Sequence, residues 1–145
     1  MFIDNGYWGK TQYLLERGLD TEVIRRRVIA DNLANVDVPH FKRSEVTFEA
    51  QLRRALDSEK YVKENAVPAK LTDTRHIPFF RPLDYTKVQP KVHIDYLSTM
   101  RNDGNNVDPE HEATEAIKSK LRYQGLAQVM ASNFRKMNIV IRPVG

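Results

Sequence analysis

The chain has 145 residues, of which 41% are hydrophobic and 29% charged, and its mean hydropathy is −0.57. This composition excludes a membrane-spanning protein and does not indicate disorder, so we expect one small, polar, soluble domain, with or without extended arms. The 23 basic and 19 acidic residues leave a net charge of only +4, which indicates a nucleic-acid partner weakly at most.

The first predicted element is a helix over residues 11 to 35, where apolar side chains recur at helical spacing. Three consecutive arginines, Arg25 to Arg27, span most of a turn, so we expect at least one to face a packed neighbour. Gly18 weakens the predicted helix, so an alternative is a helix that begins later, with Asp20 as its N-cap. Pro39 ends the helix, because its ring disfavours helical backbone in the residue before it and it has no N–H to donate.

The middle of the chain is predicted to be rich in loops and to contain little β structure. A short helix beginning at Ser44 would align three apolar side chains, Phe48, Leu52 and Leu56. Beyond it, any long helix is excluded by four prolines, Pro68, Pro78, Pro82 and Pro90. Strand-like alternation is confined to Val92, Ile94 and Tyr96, so we expect at most a short hairpin.

The clearest predicted element is a helix that begins after Asp108. Asp108 is a preferred N-cap residue, Pro109 suits the first helical position, and acidic residues follow at the positive end of the helix dipole. The apolar residues of this helix cover an arc wider than the seam of a two-stranded coiled coil, so it requires several neighbours. Residues from Asn138 to Gly145 are predicted to be an extended tail.

These elements predict a mainly α protein, in which the long N- and C-terminal helices pack as an antiparallel, coiled-coil-like pair around a loop-rich middle. The predicted division is into residues 1–43, an axial helix with a joint, residues 44–100, a short helix with a proline-rich excursion, and residues 101–145, an axial helix with a tail. Since one antiparallel pair cannot bury the broad apolar face of the last helix, we expect other copies of the chain to complete the core.

No group of residues predicts catalysis, a cofactor or a metal site. There is no cysteine, no nucleophile elbow and no glycine-rich phosphate loop. The four histidines are scattered, and only His111 has a carboxylate at helical spacing, which is more often a solvated pair than a ligand set. A calcium-loop-like start at Asp103 fails at the later ligand positions. A metal-dependent enzyme using His76, His93 and His111 is a third, weaker option.

Two short basic clusters are the basis of the alternative function, a small basic helical nucleic-acid-binding protein. They are Arg25 to Arg27 and Phe41 to Arg43. Acidic residues flank both clusters, and neither shows the aromatic spacing of a single-strand binder. A solvated or salt-bridged surface is therefore favoured.

Two stretches resemble a known family. Residues 28–43, VIADNLANVDVPHFKR, resemble the N-terminal signature of bacterial flagellar axial proteins, in which Asn-Leu-Ala-Asn precedes Thr-Pro-Gly and an aromatic-basic pair. Val38 replaces the threonine, and His40 replaces a glycine that takes positive φ more readily. Residues 101–137, with DGNNVD and LRYQ, are similar to the C-terminal half of the flagellar basal-body rod protein B family, which forms the proximal rod.

The resemblance implies a structural subunit that polymerises into a helical tube, transmits torque and surrounds the export channel. As partners it implies copies of the chain, other rod proteins, the adaptor between the rod and the membrane ring, and the export gate. It further implies a place in the flagellar basal body within the periplasmic space, reached by type III export without a cleaved signal peptide.

We expect assembly to depend on three groups of residues. The joint after the first helix contains Asn32, Leu33, Asn35, Asp37, Pro39 and Phe41, of which Asn35 and Asp37 would bond freed backbone groups. The cap of the last helix contains Asn106 and Asp108. The packing face of that helix contains Ile117, Leu121, Tyr123, Ala127, Met130 and Phe134.

Overall fold

The computed structural model describes residues 7–65, 67, 70–77 and 81–141. Within them the elements in chain order are helix α1 (Tyr7–Ala34), strand β1 (Ser44–Thr47), helix α2 (Glu49–Asn65), a short 3-10 helix (Tyr85–Lys87), strand β2 (Lys91–Ile94) and helix α3 (Pro109–Ile141). The predicted fold class is confirmed, since the described residues are mainly helical, the long terminal helices pack together, and the β structure is small.

The chain forms two compact units. One unit contains Met1–Val46 and Val92–Gly145, and the other contains Thr47–Lys91. The chain passes out of the first unit within β1 and returns within β2, and these two strands pair in a two-stranded sheet. Both long helices therefore belong to the same unit, although the segments that carry them are far apart in sequence.

Helix α1 is continuous through Gly18, so the helix does not start again at Asp20. A Cβ atom added to Gly18 would lie 3.1 Å from Cδ1 of Leu126 in α3, which shows that the missing side chain makes room for the partner helix. A hydrogen bond joins Asn32 of α1 to Glu112 of α3. Asn32 lies two heptads after Gly18, and Glu112 lies two heptads before Leu126. The pairing runs in opposite chain directions, so α1 and α3 are antiparallel with a seven-residue repeat.

The prediction of a helix from Ser44 is wrong at its start. Residues 44–47 form β1, and α2 begins only at Glu49. The backbone N–H and C=O of Ser44 are both bonded by the Asn32 side chain, so Ser44 is held in extended conformation and cannot cap a helix. The β-branched Val46 and Thr47 that follow favour the same conformation. The carbonyl of Phe48 accepts the first helical hydrogen bond, from Leu52.

Two further expectations differ from the structure. β2 pairs with β1 rather than in a local hairpin, and all four of its residues are exposed, so the alternation of Val92 and Ile94 does not mark a buried face. Helix α3 continues through the predicted tail to Ile141, because the β-branched residues there lower helix propensity by only tenths of a kcal/mol each. Residues 142–145, Pro68 and Pro78 lie outside the described residues.

The buried residues show how the helical pair is built. Among the described residues, buried apolar side chains of the first unit include Val28 and Ile29 in α1, whereas the buried residues of α3 are polar, Glu112 and Ser119. Apolar side chains of α3 are half-buried or exposed. None of the described helices combines the length and the apolarity needed to cross a membrane.

The turn after α1 contains a histidine in left-handed conformation. His40 has φ 62°, and Gly104 in the facing loop has φ 80°. The His40 N–H donates to the carbonyl of Asp103 at 3.0 Å, and a Cβ on Gly104 would lie 2.9 Å from His40 Nδ1. His40 thus adopts the conformation for which glycine is suited, and the close contact of its ring requires glycine at position 104.

We expect Gly104→Ala to destabilise the protein by ~1–2 kcal/mol or more, because the backbone at position 104 has positive φ, which a side chain disfavours, and because the new methyl group collides with the imidazole of His40. In a His40→Gly background the collision is absent and the cost should be smaller. Chemical denaturation followed by circular dichroism measures both costs. An equal cost in the two backgrounds would show that the His40 contact plays no part.

Candidate functional site

The candidate site is a cluster of polar side chains that joins the end of α1 to the loop before α3 and to the first turn of α3. We call it the polar joint and define it as Asn32, Arg43, Asn105, Asn106 and Glu112. Four of these side chains are buried, and Arg43 is half-buried. All five belong to the first unit.

Asn32 is 1% exposed and is the hub of the joint. Its Oδ1 accepts the backbone N–H of Ser44 at 2.9 Å, and its Nδ2 donates to the Ser44 carbonyl at 2.8 Å. The same Nδ2 donates to Oε2 of Glu112 at 3.1 Å. A side chain of α1 therefore pairs with the backbone of β1 as a neighbouring strand would, and also holds α3.

Glu112 is fully buried, and its carboxylate is bonded on both oxygens. Oε2 accepts from Asn32, and Oε1 accepts from Nε of Arg43 at 2.5 Å. Burial acts to lower the pKa of Arg43, but the hydrogen bond and charge of Glu112, helped by Glu45, raise it above its usual value. Arg43 therefore stays charged, and the buried carboxylate has the cationic partner that burial requires.

Asn105 closes the end of α1 from the other side of the joint. Its Nδ2 lies 3.1, 3.0 and 2.9 Å from the carbonyl oxygens of Asn35, Val36 and Val38. Its Oδ1 accepts the N–H of Val107 at 2.7 Å. One buried amide thus satisfies backbone acceptors left without helical partners where α1 ends.

The two residues predicted to cap α3 have different roles. Oδ1 of Asp108 accepts the backbone N–H of Glu110 at 2.9 Å and lies 3.4 Å from that of His111, as an N-cap does. Asn106 does not bond this helix end, so the prediction that it caps α3 is wrong. Its Oδ1 accepts the N–H of Arg43 at 2.6 Å, and its Nδ2 donates to the Asp95 carbonyl and the Ser98 hydroxyl.

The predicted joint residues after α1 also have different roles. The side chain of Asn35 donates to the Asp31 carbonyl on the exposed side of α1, and Asp37 pairs with Arg101. Arg101 also donates to the Val36 carbonyl at 2.8 Å. The remaining members are at the surface or half-buried: Leu33, Pro39 and Phe41.

A second polar cluster lies in the middle of the seam between α1 and α3. We call it the mid-seam layer and define it as Glu22, Arg25 and Ser119, which are all buried. Glu22 accepts from Arg25 on one carboxylate oxygen and from the Ser119 hydroxyl at 2.6 Å on the other. Beside the layer, the guanidinium of Arg26 lies 4.3 Å from the ring centroid of Tyr123. The expectation that at least one of the three arginines faces a packed neighbour is confirmed.

The residues of the predicted packing face of α3 differ in their exposure. Tyr123, Ala127 and Met130 are half-buried, and Tyr123 contacts Arg26 of α1. Ile117 and Leu121 are each 62% exposed, and Phe134 is also exposed. The helix therefore has apolar side chains that the described part of the chain leaves exposed.

Several joint and seam residues were not predicted as site residues, including Glu22, Ser119, Asn105 and Glu112. A usable signal was present, because Gly18, Arg25 and Asn32 recur every seven residues, as do Glu112, Ser119 and Leu126. Seven residues is the spacing at which seam positions recur in a coiled-coil pair. The long apolar arc of α3 obscured this pattern.

The chemistry of the described residues is that of structural pairing. They contain no group of three or more potential metal ligands among histidine and the carboxylates. The arginines of the predicted basic clusters are largely engaged within the protein: Arg25 with Glu22, Arg26 over Tyr123, and Arg43 with Glu112. What the joint can do is fix the directions in which two long helices leave it.

Comparison with known proteins identifies the family. The chain is 41% identical over 129 residues to the flagellar basal body rod protein FlgB of Borrelia hermsii, a match covering 89% of this chain and 93% of that protein. The chain belongs to the FlgB family of flagellar basal-body rod proteins. It is also 38% identical to FlgB of Borreliella burgdorferi over 87% of this chain and 91% of that protein, and 30% identical to FlgB of Bacillus subtilis over 88% and 89%. No protein-family model matches the chain.

Membership of this family makes the chain a structural protein of the flagellar basal body. The resemblance seen in the two sequence stretches is thereby confirmed over most of the chain. The comparisons give no support to the alternative of a nucleic-acid-binding protein.

Asn32→Ala should lower the free energy of unfolding by about 2–4 kcal/mol, because it leaves the Ser44 backbone and the buried Glu112 carboxylate without partners. Asn35→Ala is the matched control. It removes the same side chain three residues later, loses one exposed hydrogen bond, and should cost less than about 0.5 kcal/mol. Similar losses in both variants, measured by urea denaturation, would contradict the assignment of Asn32 as the hub.

Proposed function

We propose that the chain is a proximal-rod subunit that polymerises through its terminal helices into a helical tube, which transmits torque and surrounds the export channel. It works by packing against copies of itself and other rod proteins, with no catalytic step and no cofactor. Membership of a rod protein family supports this, and so does the polar joint, which is built to hold helices rather than to bind a small molecule.

The single observation that carries the proposal is the uncovered apolar surface of α3. Leu121 lies nine residues from Glu112, which places it on the opposite side of the helix from the seam. Ile117 is close to it on the same side, and both are 62% exposed. Exposed apolar residues grouped on a helix face mark an interaction surface, and here the surface suits a neighbouring subunit.

A contact of this kind produces an open assembly. When the apolar face of one subunit packs against a different surface of the next, the interface repeats head to tail and generates a helical array rather than a closed pair. The antiparallel α1–α3 pair provides a rigid strut for such an array, since the polar joint fixes it at one end and the mid-seam layer fixes it in the middle.

The proposal also includes the further partners of the chain and its location. Partners beyond other rod proteins are the adaptor between the rod and the membrane ring and the flagellar export gate. The chain works in the periplasmic space and reaches it by type III export. The joint residues Leu33, Pro39 and Phe41, which are exposed or half-buried, are proposed to contact neighbouring subunits there.

Leu121→Glu should abolish motility in a strain whose own copy of the gene is deleted, because a charge would be buried at the subunit interface. The purified variant should unfold at the same denaturant concentration as the unchanged protein, since Leu121 is exposed in the single subunit. Lys120→Glu, at an exposed position about 100° around α3 from Leu121, is the control and should leave swimming in soft agar unchanged. Normal swimming with Leu121→Glu would refute the proposed interface.

The purified subunit should gain helix as it polymerises. The last described turn of α3, with Ile139, Val140 and Ile141, is exposed and lacks packing that would hold it, so it should fray in dilute solution. Circular dichroism combined with sedimentation over a range of concentrations measures both quantities. Full helicity and cooperative unfolding of a monomer at low concentration would contradict this expectation.

A further inference from the structure

Helix α1 has an exposed stripe on the side opposite the seam. Arg27 lies nine residues after Gly18, which places it half a turn around the helix from that seam position. Apart from Leu33, the exposed residues of α1 between positions 8 and 34 all lie within about 60° of Arg27: Glu16, Asp20, Val23, Ala30, Asp31 and Ala34. We call these residues, together with Arg27, the α1 stripe.

Helix α3 has a stripe of its own on its outer side. Its members lie nine positions after the three seam residues of α3, and so they are opposite the seam: Leu121, Gln128 and Arg135. All three are exposed, and we call them the α3 stripe. Because each stripe points away from the seam, the two stripes lie on opposite sides of the α1–α3 pair.

The two stripes differ in charge. The α1 stripe has three acidic residues and one basic residue. From position 116 to its end, α3 has no acidic residue and five basic ones: Lys118, Lys120, Arg122, Arg135 and Lys136. Lys118 pairs with Glu115 of its own helix, whereas Arg135 lies on the stripe itself. An α3 stripe and the α1 stripe of another copy are therefore complementary in charge, while two stripes of the same kind would repel each other.

The direction and the repeat of the stripes limit how they can meet. Copies that pack head to tail share one orientation, so α3 of one copy runs antiparallel to α1 of the next, as it does to its own α1. Both stripes repeat every seven residues, so their side chains face one another only in registers that differ by whole heptads.

One of these registers matches the side chains. It places Arg135 level with Asp20 and Leu121 level with the small Ala34, and the Gln128 amide can then accept a hydrogen bond from Arg27. A shift of one heptad in either direction loses these matches. One shift places Arg135 against Arg27, and the other places Leu121 against the guanidinium of Arg27.

The matched register displaces each copy along the helices. Because Gly18 faces Leu126 within the subunit, Leu121 is level with Val23 of its own chain. In the matched register it is level with Ala34 of the next copy, eleven residues further along α1, which is about 16 Å. Every contact repeats this displacement, so the row of subunits climbs and stays open instead of closing into a flat ring.

We propose that the α1 stripe is the surface that receives the α3 stripe of a second copy, with Arg135 beside Asp20 and Leu121 on Ala34. The inference rests on the proposed function, because it names the receiving surface for the exposed face of α3. The carboxylate of Asp20 is available for this contact. Its side chain is 66% exposed, and it lies 3.9 Å from the guanidinium of Arg17 on its own helix, a distance at which an exposed pair contributes little.

The first test is cross-linking between copies, which is specific because the chain has no cysteine of its own. A chain carrying Ala34→Cys and Leu121→Cys replaces the unchanged protein in cells, and their basal bodies are isolated and oxidised. The two sites lie on opposite sides of one subunit, too far apart for an internal disulfide. The control chain carries Ala34→Cys and Lys120→Cys, because position 120 lies about 100° around α3 from Leu121.

We expect disulfide-linked dimers and larger products in the test chain, about tenfold or more above the control chain, because neighbours held in contact react at a far higher effective concentration. Equal yields in the two chains would overturn the proposal. Products that join position 34 to a different rod protein, identified by mass spectrometry, would overturn it as well.

A charge swap keeps the test decisive if the cysteine chains do not assemble. Asp20→Arg should strongly reduce swimming, because two arginines would meet at the contact with Arg135. Its unfolding in urea should be nearly unchanged, since Asp20 is exposed. Combining Asp20→Arg with Arg135→Asp restores opposite charges and should restore swimming. Asp57→Arg, the same substitution at an exposed position of α2, is the control and should swim normally.

The swap also separates this inference from the proposed function. Normal swimming with Asp20→Arg, or a swap that swims no better than Asp20→Arg, would overturn the pairing of the two stripes. If Leu121→Glu abolishes swimming in the same strains, the α3 face is still an interface, and only its receiving surface has been wrongly assigned. If Leu121→Glu also swims normally, the proposed interface of α3 fails together with this inference.

Discussion

The fold depends on the buried carboxylate of Glu112. A fully buried charge requires a cationic partner and hydrogen-bond donors, and Arg43 and Asn32 provide them from two separate stretches of the chain. Because Asn32 also holds both backbone groups of Ser44, the end of α1, the start of β1 and the first turn of α3 can coexist in only one arrangement. Asn105 and Asn106 complete it by bonding the backbone on either side.

The helical pair extends this constraint along its length. Its seam is small and polar at the layers of Glu112 and Ser119, and it is closely packed at Gly18. Few apolar side chains of α1 and α3 are therefore buried between the two helices, and residues such as Leu121 remain at the surface. The interior of the pair is partly polar, and the proposed contacts between subunits would bury the apolar side chains that the pair leaves exposed.

The sequence predicted the elements whose signals are local. Helical spacing, Pro39 and the Asp108-Pro109 pair placed α1 and α3, because capping and periodicity act within a few residues. The polar joint was only partly predictable, since Asn32 and Glu112 are distant in sequence and meet only in the fold. Ser44 was misassigned for the same reason: its local N-cap signal loses to two hydrogen bonds from a side chain of another element. The exposure of Leu121 also depends on which face of α3 the seam uses.

Native-state hydrogen exchange of the Arg43 and Ser44 amides tests the central claim most directly. These amides lie outside the helices and donate to the side chains of Asn106 and Asn32. If the polar joint holds the fold together, both should exchange as slowly as the most protected amides in the middle of α1, through global unfolding. Exchange close to the rate of an unstructured peptide, while α1 stays protected, would contradict it.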